Sequence, residues 1–231
     1  MLTRTPVNDR AANTLRWVRW GDGDYLAARL SLLNGLLVQG SQLANTALEK
    51  YLKAIIIYSN KPAPRTHDVT ALYEKVLLDV PSDLSLNKEF LALLKKAYTL
   101  RYPDDLDDGF NIALNQAKIL AQLDRSVLEI TKRFIMTKDG KTIAMVLDEA
   151  VFKKDDSFLA KNIAVDSSGA SALFSMPSFS YDIRIHNGNL FQVAYSTQSV
   201  ADDGRFDVEG FAPQNDRQFK VAYIPIVEGS G

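Results

Sequence analysis

Residues 44–76 read ANTALEKYLKAIIIYSNKPAPRTHDVTALYEKV. Here Ala47, Leu48, Tyr51, Leu52, Ala54, Ile55 and Ile56, together with Leu43 just before, recur at helical spacing but cover more than one face, which predicts a central helix packed on several sides. Pro62 and Pro64 end it, because proline has no N–H to donate and drives the residue before it out of the α region. Thr66 is suited to cap a third helix, with Asp68 in its first turn and Val69, Leu72, Tyr73 and Val76 along one face. Toward the N-terminus, Leu26, Leu30, Leu33 and Leu37 repeat at steps of four, three and four, predicting a core-facing helix over residues 24–39. Gly40 and Ser41 read as the break between the two, glycine for a left-handed C-terminal position and serine for an N-cap, so the pair forms an antiparallel hairpin.

Toward the C-terminus a fourth helix carries Leu86, Phe90, Leu93, Leu94 and Ala97 and stops at RYPDDLDDG, residues 101–109. A fifth is predicted from Phe110 through Ala113, Leu114, Ala117, Leu120, Val127 and Leu128 toward Phe134. Five helices with short connections describe a bundle. Beyond residue 137 the 3.6-residue period gives way to short β-branched and aromatic runs separated by turn residues. The clearest is YDIRIH, then NGN, then LFQVAYS (residues 181–196), where Asn187 and Gly188 supply the positive φ of a tight hairpin. TIAMVL (142–147), SALFSM (171–176), RFDVEGF (205–211) and QFKVAYIPI (218–226) read as further strands. The expected fold class is therefore α+β, an antiparallel helical bundle over residues 1–136 followed by a small, mostly antiparallel β domain over residues 137–231.

Bulk composition excludes several functions. The 231 residues are 46% hydrophobic and 24% charged, enough to bury a core without staples. With 27 Lys and Arg against 28 Asp and Glu there is no global basic field, so any phosphate binding must come from a local patch. Absence of cysteine removes disulfides, thiolate metal sites and thiol nucleophiles, and fits a reducing cytoplasm. The N-terminus lacks a signal-peptide h-region and no apolar run approaches a membrane span, so a cytoplasmic protein with no membrane partner is expected. Neither a phosphate-binding glycine loop nor a zinc-protease or dinucleotide motif occurs, and no cofactor or metal is expected. Asp182, Arg184 and His186 alternate with apolar residues as on any half-buried strand, and their spacing is too wide for a catalytic triad.

The block Glu49, Lys50, Leu52, Lys53, Ala54, then Thr66, His67, Asp68, and later Arg101, Tyr102, Pro103 resembles the HEPN domain family over about residues 20–130. The resemblance implies a helical bundle that commonly dimerises, in a family that includes metal-independent ribonucleases, toxins paired with nucleotidyltransferase-type antitoxins, defence proteins and inactive members that bind nucleotide or RNA. Its ribonucleases carry an Arg followed after four to six residues by a His. Arg101 is the counterpart of that Arg, but positions 106, 107 and 108 hold Leu106, Asp107 and Asp108, and the histidine is missing. Cleavage through a 2′-hydroxyl needs a group titrating near neutrality, which leaves His67 as the substitute if the fold brings it to Arg101.

Two readings stay open at each candidate residue. His67 is either that proton carrier or a helix-terminal residue held by a backbone or carboxylate partner. Glu49 and Lys53 form an i,i+4 pair, while Lys50, Lys53, Arg65, Arg101 and Tyr102 together form a candidate nucleotide or RNA site in which the cations converge on phosphate. Asp104, Asp105, Asp107 and Asp108 would repel phosphate beside Arg101, and read as a solvated loop rather than a cation site. Trp17 and Trp20 either stack on bases or tuck onto the bundle. The leading expectation is an RNA- or nucleotide-binding homodimer in a toxin–antitoxin or defence setting, with catalysis centred on Arg101 and His67 if there is any. The alternative is a non-catalytic dimeric protein-interaction module.

Overall fold

Helix α1 (Val7–Leu33) and helix α2 (Leu37–Tyr58) form the hairpin on which the rest packs. The computed structural model describes residues 7–80, 83–134, 137–138, 141–142, 149, 152–153, 161–164, 168–187, 189–198 and 200–206. Apolar residues on all sides of α2 are buried, and the helix packs against α1, α3 (Val69–Asp79), α4 (Lys88–Thr99) and α5 (Gln116–Thr131), as its all-round pattern requires. The break in the hairpin falls earlier than Gly40 and Ser41. Gly35, at φ +78°, makes the turn, and Gly40 lies inside α2, where an added Cβ would sit 2.5 Å from Leu32 Cγ. Close approach of the two helices is what demands glycine at position 40, and Ser41 turns its hydroxyl to the Leu37 carbonyl at 2.7 Å instead of capping.

Polar caps set the other starts. Asp68, not Thr66, is the N-cap of α3 and accepts from the amides of Thr70 (3.0 Å) and Ala71 (3.2 Å). Thr66 supports it one step back, its hydroxyl accepting from the Asp68 amide at 3.1 Å. Asn87 caps α4 and Asn115 caps α5.

The fifth helix begins six residues later than its apolar content suggested, because NIALN is a strand, β1 (Asn111–Asn115), that buries Ile112 and Leu114 and leaves the alternate residues half-buried. Short strands β2 (Thr137–Lys138) and β3 (Lys141–Thr142) pair with each other. The hairpin strands form as read: β4 (Ser178–His186) and β5 (Asn189–Thr197) are antiparallel, closing with His186 opposite Asn189, and of the two turn residues Asn187 takes φ +51°. The sheet order is β1-β4-β5, with Ile112 opposite Ile183, so it joins one strand from before residue 136 to two from after it. SALFSM does not form a strand: Ser168–Phe174 is a helix that packs on α5 and buries Leu173. Its run of Ser, Gly and Ala offers a pleated surface little to pack, and none of its residues is β-branched. Arg205 and Phe206 are not in a strand, and the rest of RFDVEGF, TIAMVL beyond Thr142, Gly188 and QFKVAYIPI lie outside the described residues. The architecture is α+β, a mostly helical N-terminal region with a three-stranded antiparallel sheet. Among the described residues no helix is long and apolar enough to cross a membrane.

Inside the bundle α1 and α5 are tied by a buried ion pair, Arg29 with Asp124, both 1% exposed or less. Tyr25 donates to the same carboxylate at 2.8 Å, Ile163 N at 3.1 Å, and Asn162 donates to the Tyr25 hydroxyl at 3.1 Å. Breaking such a pair from one side leaves an uncompensated charge in the core. Arg29→Met should therefore lower stability by about 3–5 kcal/mol, read as a drop in the urea midpoint. Arg29→Met combined with Asp124→Leu should recover part of that loss.

Candidate functional site

Asn45, Glu49 and Lys53 stand four residues apart on α2 and so form one stripe, buried although polar. A buried polar stripe needs partners along its length, and each residue has one. Lys53 Nζ donates to Glu49 Oε1 at 2.6 Å and lies 5.6 Å from the centre of the Trp17 ring of α1. Glu49 Oε2 is 2.9 Å from His67 Nδ1, and Asn45 Nδ2 donates to the His67 carbonyl at 3.2 Å. His67 is thus fixed by its backbone and one ring nitrogen, in the loop between α2 and α3, while its side chain remains 66% exposed.

The imidazole face has a partner as well. Tyr98, in the last turn of α4, stacks on His67 with ring centres 5.6 Å apart and planes 23° apart. Arg101, three residues on, sits 5.0 Å from the centre of the same Tyr98 ring and donates to its hydroxyl at 2.9 Å. The tyrosine therefore joins the two residues that the sequence singled out for chemistry. Because a carboxylate can only accept, the His67 Nδ1 atom facing Glu49 is a donor, and in the neutral ring Nε2 is then the acceptor. Among the described residues no partner contacts that Nε2.

The other cations are distributed differently from the single recess expected. Lys50 is paired with Asp24 of α1 across the hairpin, and Lys53 is enclosed with Glu49, so each lysine faces its own carboxylate. Arg65 is exposed in the loop just before His67, and Tyr102 is 57% exposed beside Arg101. Asp104, Asp105, Asp107 and Asp108 are exposed in the 3-10 turn and the loop after it. Among the described residues no three acidic or histidine side chains gather as a metal site would require. Trp17 is half-buried against the core, whereas Trp20 meets it edge to face at 6.0 Å and stays 54% exposed. An open groove of about 600 Å³ runs beside this surface, lined by Leu36 and Leu37, by Leu100 and Pro103 on either side of Arg101 and Tyr102 in the chain, and by Phe179 and Tyr181 of β4.

Tyr98 and Asn45 escaped the reading of the sequence. Their signal was positional: Asn45 lies four residues before Glu49 on the same face of α2, and Tyr98 lies three residues before Arg101, which follows the end of α4. Asp68 extends the site by linking α3 to α4 through Lys95 at 2.7 Å. Partial burial raises the Asp68 carboxyl, but Lys95, the Thr70 hydroxyl and the Ala71 amide outweigh it and hold it below the ordinary aspartate range.

A family model described as HEPN domain matches residues 14–134, which include every residue of this cluster. No curated protein and no solved structure gives a match.

Replacing Asp68 with Ala should cost about 1 kcal/mol by removing the α3 cap. A carboxyl lowered on folding stabilises above its unfolded value, roughly pH 4, and that contribution is lost as pH falls through the lower folded value. Chemical denaturation between about pH 2 and 7 should therefore show a smaller acid-dependent loss for Asp68→Asn, which keeps the acceptor, than for the wild type.

Proposed function

Because the chain belongs to the HEPN domain family, we propose that it binds RNA or a nucleotide through phosphate at the surface where His67 and Arg101 share the Tyr98 ring. That shared ring is the observation that carries the reading, since it holds a guanidinium and an imidazole together on an exposed surface. Arg101 offers a planar fork to phosphate oxygens, Arg65 a second cation, and the exposed Tyr102 a face for a base to stack on. Lys50 and Lys53 act at one remove: Lys53 anchors Glu49, and Lys50 holds α1 to α2 through Asp24. The protein works as a homodimer in this reading, in a toxin–antitoxin or defence setting, with a nucleotidyltransferase-type antitoxin as the partner to look for.

Fluorescence anisotropy with a 5′-labelled, mixed-sequence single-stranded RNA tests it. Arg101→Ala should weaken binding about tenfold or more, the loss of one charge-assisted contact, and wild-type affinity should fall as salt rises. Binding that survives both Arg101→Ala and His67→Ala unchanged removes these residues from the function.

The Glu49–His67 contact favours a second reading, in which bound RNA is also cleaved without metal. His67 Nε2 would take the proton of a 2′-hydroxyl as its oxygen attacks the adjacent phosphorus, the bond to the 5′-oxygen breaks, and that oxygen takes a proton from the solvent. The products are a 2′,3′-cyclic phosphate and a 5′-hydroxyl. Arg101 stabilises the charge on the phosphoryl oxygens, and Glu49 is a positioning residue that fixes the imidazole tautomer. In this reading Glu49→Gln and His67→Gln should lower the cleavage rate at least about a hundredfold while RNA still binds. Intact RNA after prolonged incubation with wild-type protein that does bind it would leave binding alone.

A further inference from the structure

Residues 10–20 read RAANTLRWVRW, a stretch with three arginines, two tryptophans and no acidic residue, in a chain whose formal net charge is -1. Helical spacing sorts these side chains. Val18 is buried and Trp17 half-buried, whereas Arg16 and Trp20, one turn apart on the same face of α1, are both exposed, as is Arg19. An indole carries a large apolar surface that folding usually covers, yet Trp20 keeps 54% of its own in solvent. Its ring meets Trp17 edge to face, with planes 66° apart. Whichever ring supplies the edge, at least one face of the Trp20 indole is clear of Trp17.

The helix beneath that ring is pinned. At Gly21, the next residue, an added Cβ would sit 3.1 Å from the Tyr51 ring of α2, Tyr51 donates to Asp22 at 2.5 Å, and Asp24 pairs with Lys50. Trp20 therefore projects from a rigid element, as a stacking platform must. It is also joined to the candidate site: Trp17 lies beside Lys53, Lys53 pairs with Glu49, and Glu49 meets His67. A stacked strand advances about 3.4 Å per nucleotide and an extended one up to about twice that, so the distance from the imidazole to the Trp20 ring, at most about 20 Å along these contacts, corresponds to no more than roughly three to six nucleotides.

From this we propose that Trp20 is a second subsite for the same ligand, stacking on an unpaired base of a single-stranded RNA whose phosphate lies at His67 and Arg101, with Arg16 and Arg19 beside that base for its backbone. The inference rests on the phosphate reading above and narrows it, from RNA or a nucleotide to a single strand long enough to reach both places. A mononucleotide cannot bridge them, and a duplex keeps its bases within its own stack, whereas an unpaired base offers a face to an aromatic ring. Stacking of this kind tolerates any base, so this subsite selects for strandedness and length rather than for sequence.

The chain has two tryptophans, so Trp17→Phe leaves Trp20 as its only indole and Trp20→Phe leaves Trp17. Tryptophan emission and fluorescence anisotropy of the full chain, titrated with a labelled oligouridylate dinucleotide and octanucleotide, test the proposal. The octanucleotide should quench Trp17→Phe by roughly a third or more and leave Trp20→Phe nearly unchanged. Wild-type protein should prefer the octanucleotide to the dinucleotide by about tenfold or more, and Trp20→Ala, which alters an exposed side chain and leaves the core intact, should lose most of that preference. Octanucleotide binding that depends on Arg101 but leaves Trp20 emission unchanged, or that Trp20→Ala retains at wild-type strength, overturns this subsite while the phosphate site stands. A wild type that binds no octanucleotide overturns both.

Discussion

The buried pair of Arg29 and Asp124 constrains everything around it. Two full charges inside a bundle are tolerable only when geometry satisfies both, and here the carboxylate also receives the Tyr25 hydroxyl and the Ile163 amide. Burial pushes the Asp124 carboxyl up while Arg29 opposes that shift, and burial pushes the Tyr25 phenol well up, so the phenol stays a donor. The arrangement fixes α1 against α5 and brings residues 162 and 163 onto the bundle. Tyr51 repeats the device on the other side of the hairpin, donating to Asp22 of α1. Apolar burial supplies the drive to collapse, and these directional contacts select one way of collapsing.

The same helix that fills the core also supplies the inner half of the candidate site. Asn45, Glu49 and Lys53 are buried yet polar, and contacts that end on His67 satisfy Glu49, Lys53 and the Asn45 amide nitrogen, while the Asn45 carbonyl oxygen has no hydrogen-bond partner among the described residues. From there the chain of contacts runs outward through Tyr98 to Arg101, so the exposed groups rest on a rigid buried base. The two α2 lysines have different duties because they sit three residues apart on the helix: Lys53 falls on the stripe with Glu49, and Lys50 falls toward α1 and Asp24.

Where periodicity and tertiary packing agreed, the sequence was a sufficient guide. The all-round apolar pattern of α2 and the pairing of the two strands around residues 187 and 188 both depend on neighbours in the chain, and both form as read. Where a residue type serves two purposes, local reading misled. Gly40 looked like a turn but is a contact, because only the position of Leu32 reveals that no Cβ fits there. NIALN looked like the start of a helix because its apolar residues also suit a pattern of four, and it became a strand because β4 was available to pair with it.

What the sequence determined by itself was the helical bundle, the hairpin after it and the lack of thiol chemistry, since each follows from side-chain type or from spacing along one element. Tertiary structure alone decided that His67 and Arg101 share Tyr98 while Lys50 is matched with Asp24, and that NIALN pairs with β4 as a strand. Those outcomes turn on which elements lie side by side. Adjacency of that kind comes from filling a common core, and spacing along the chain carries no record of it.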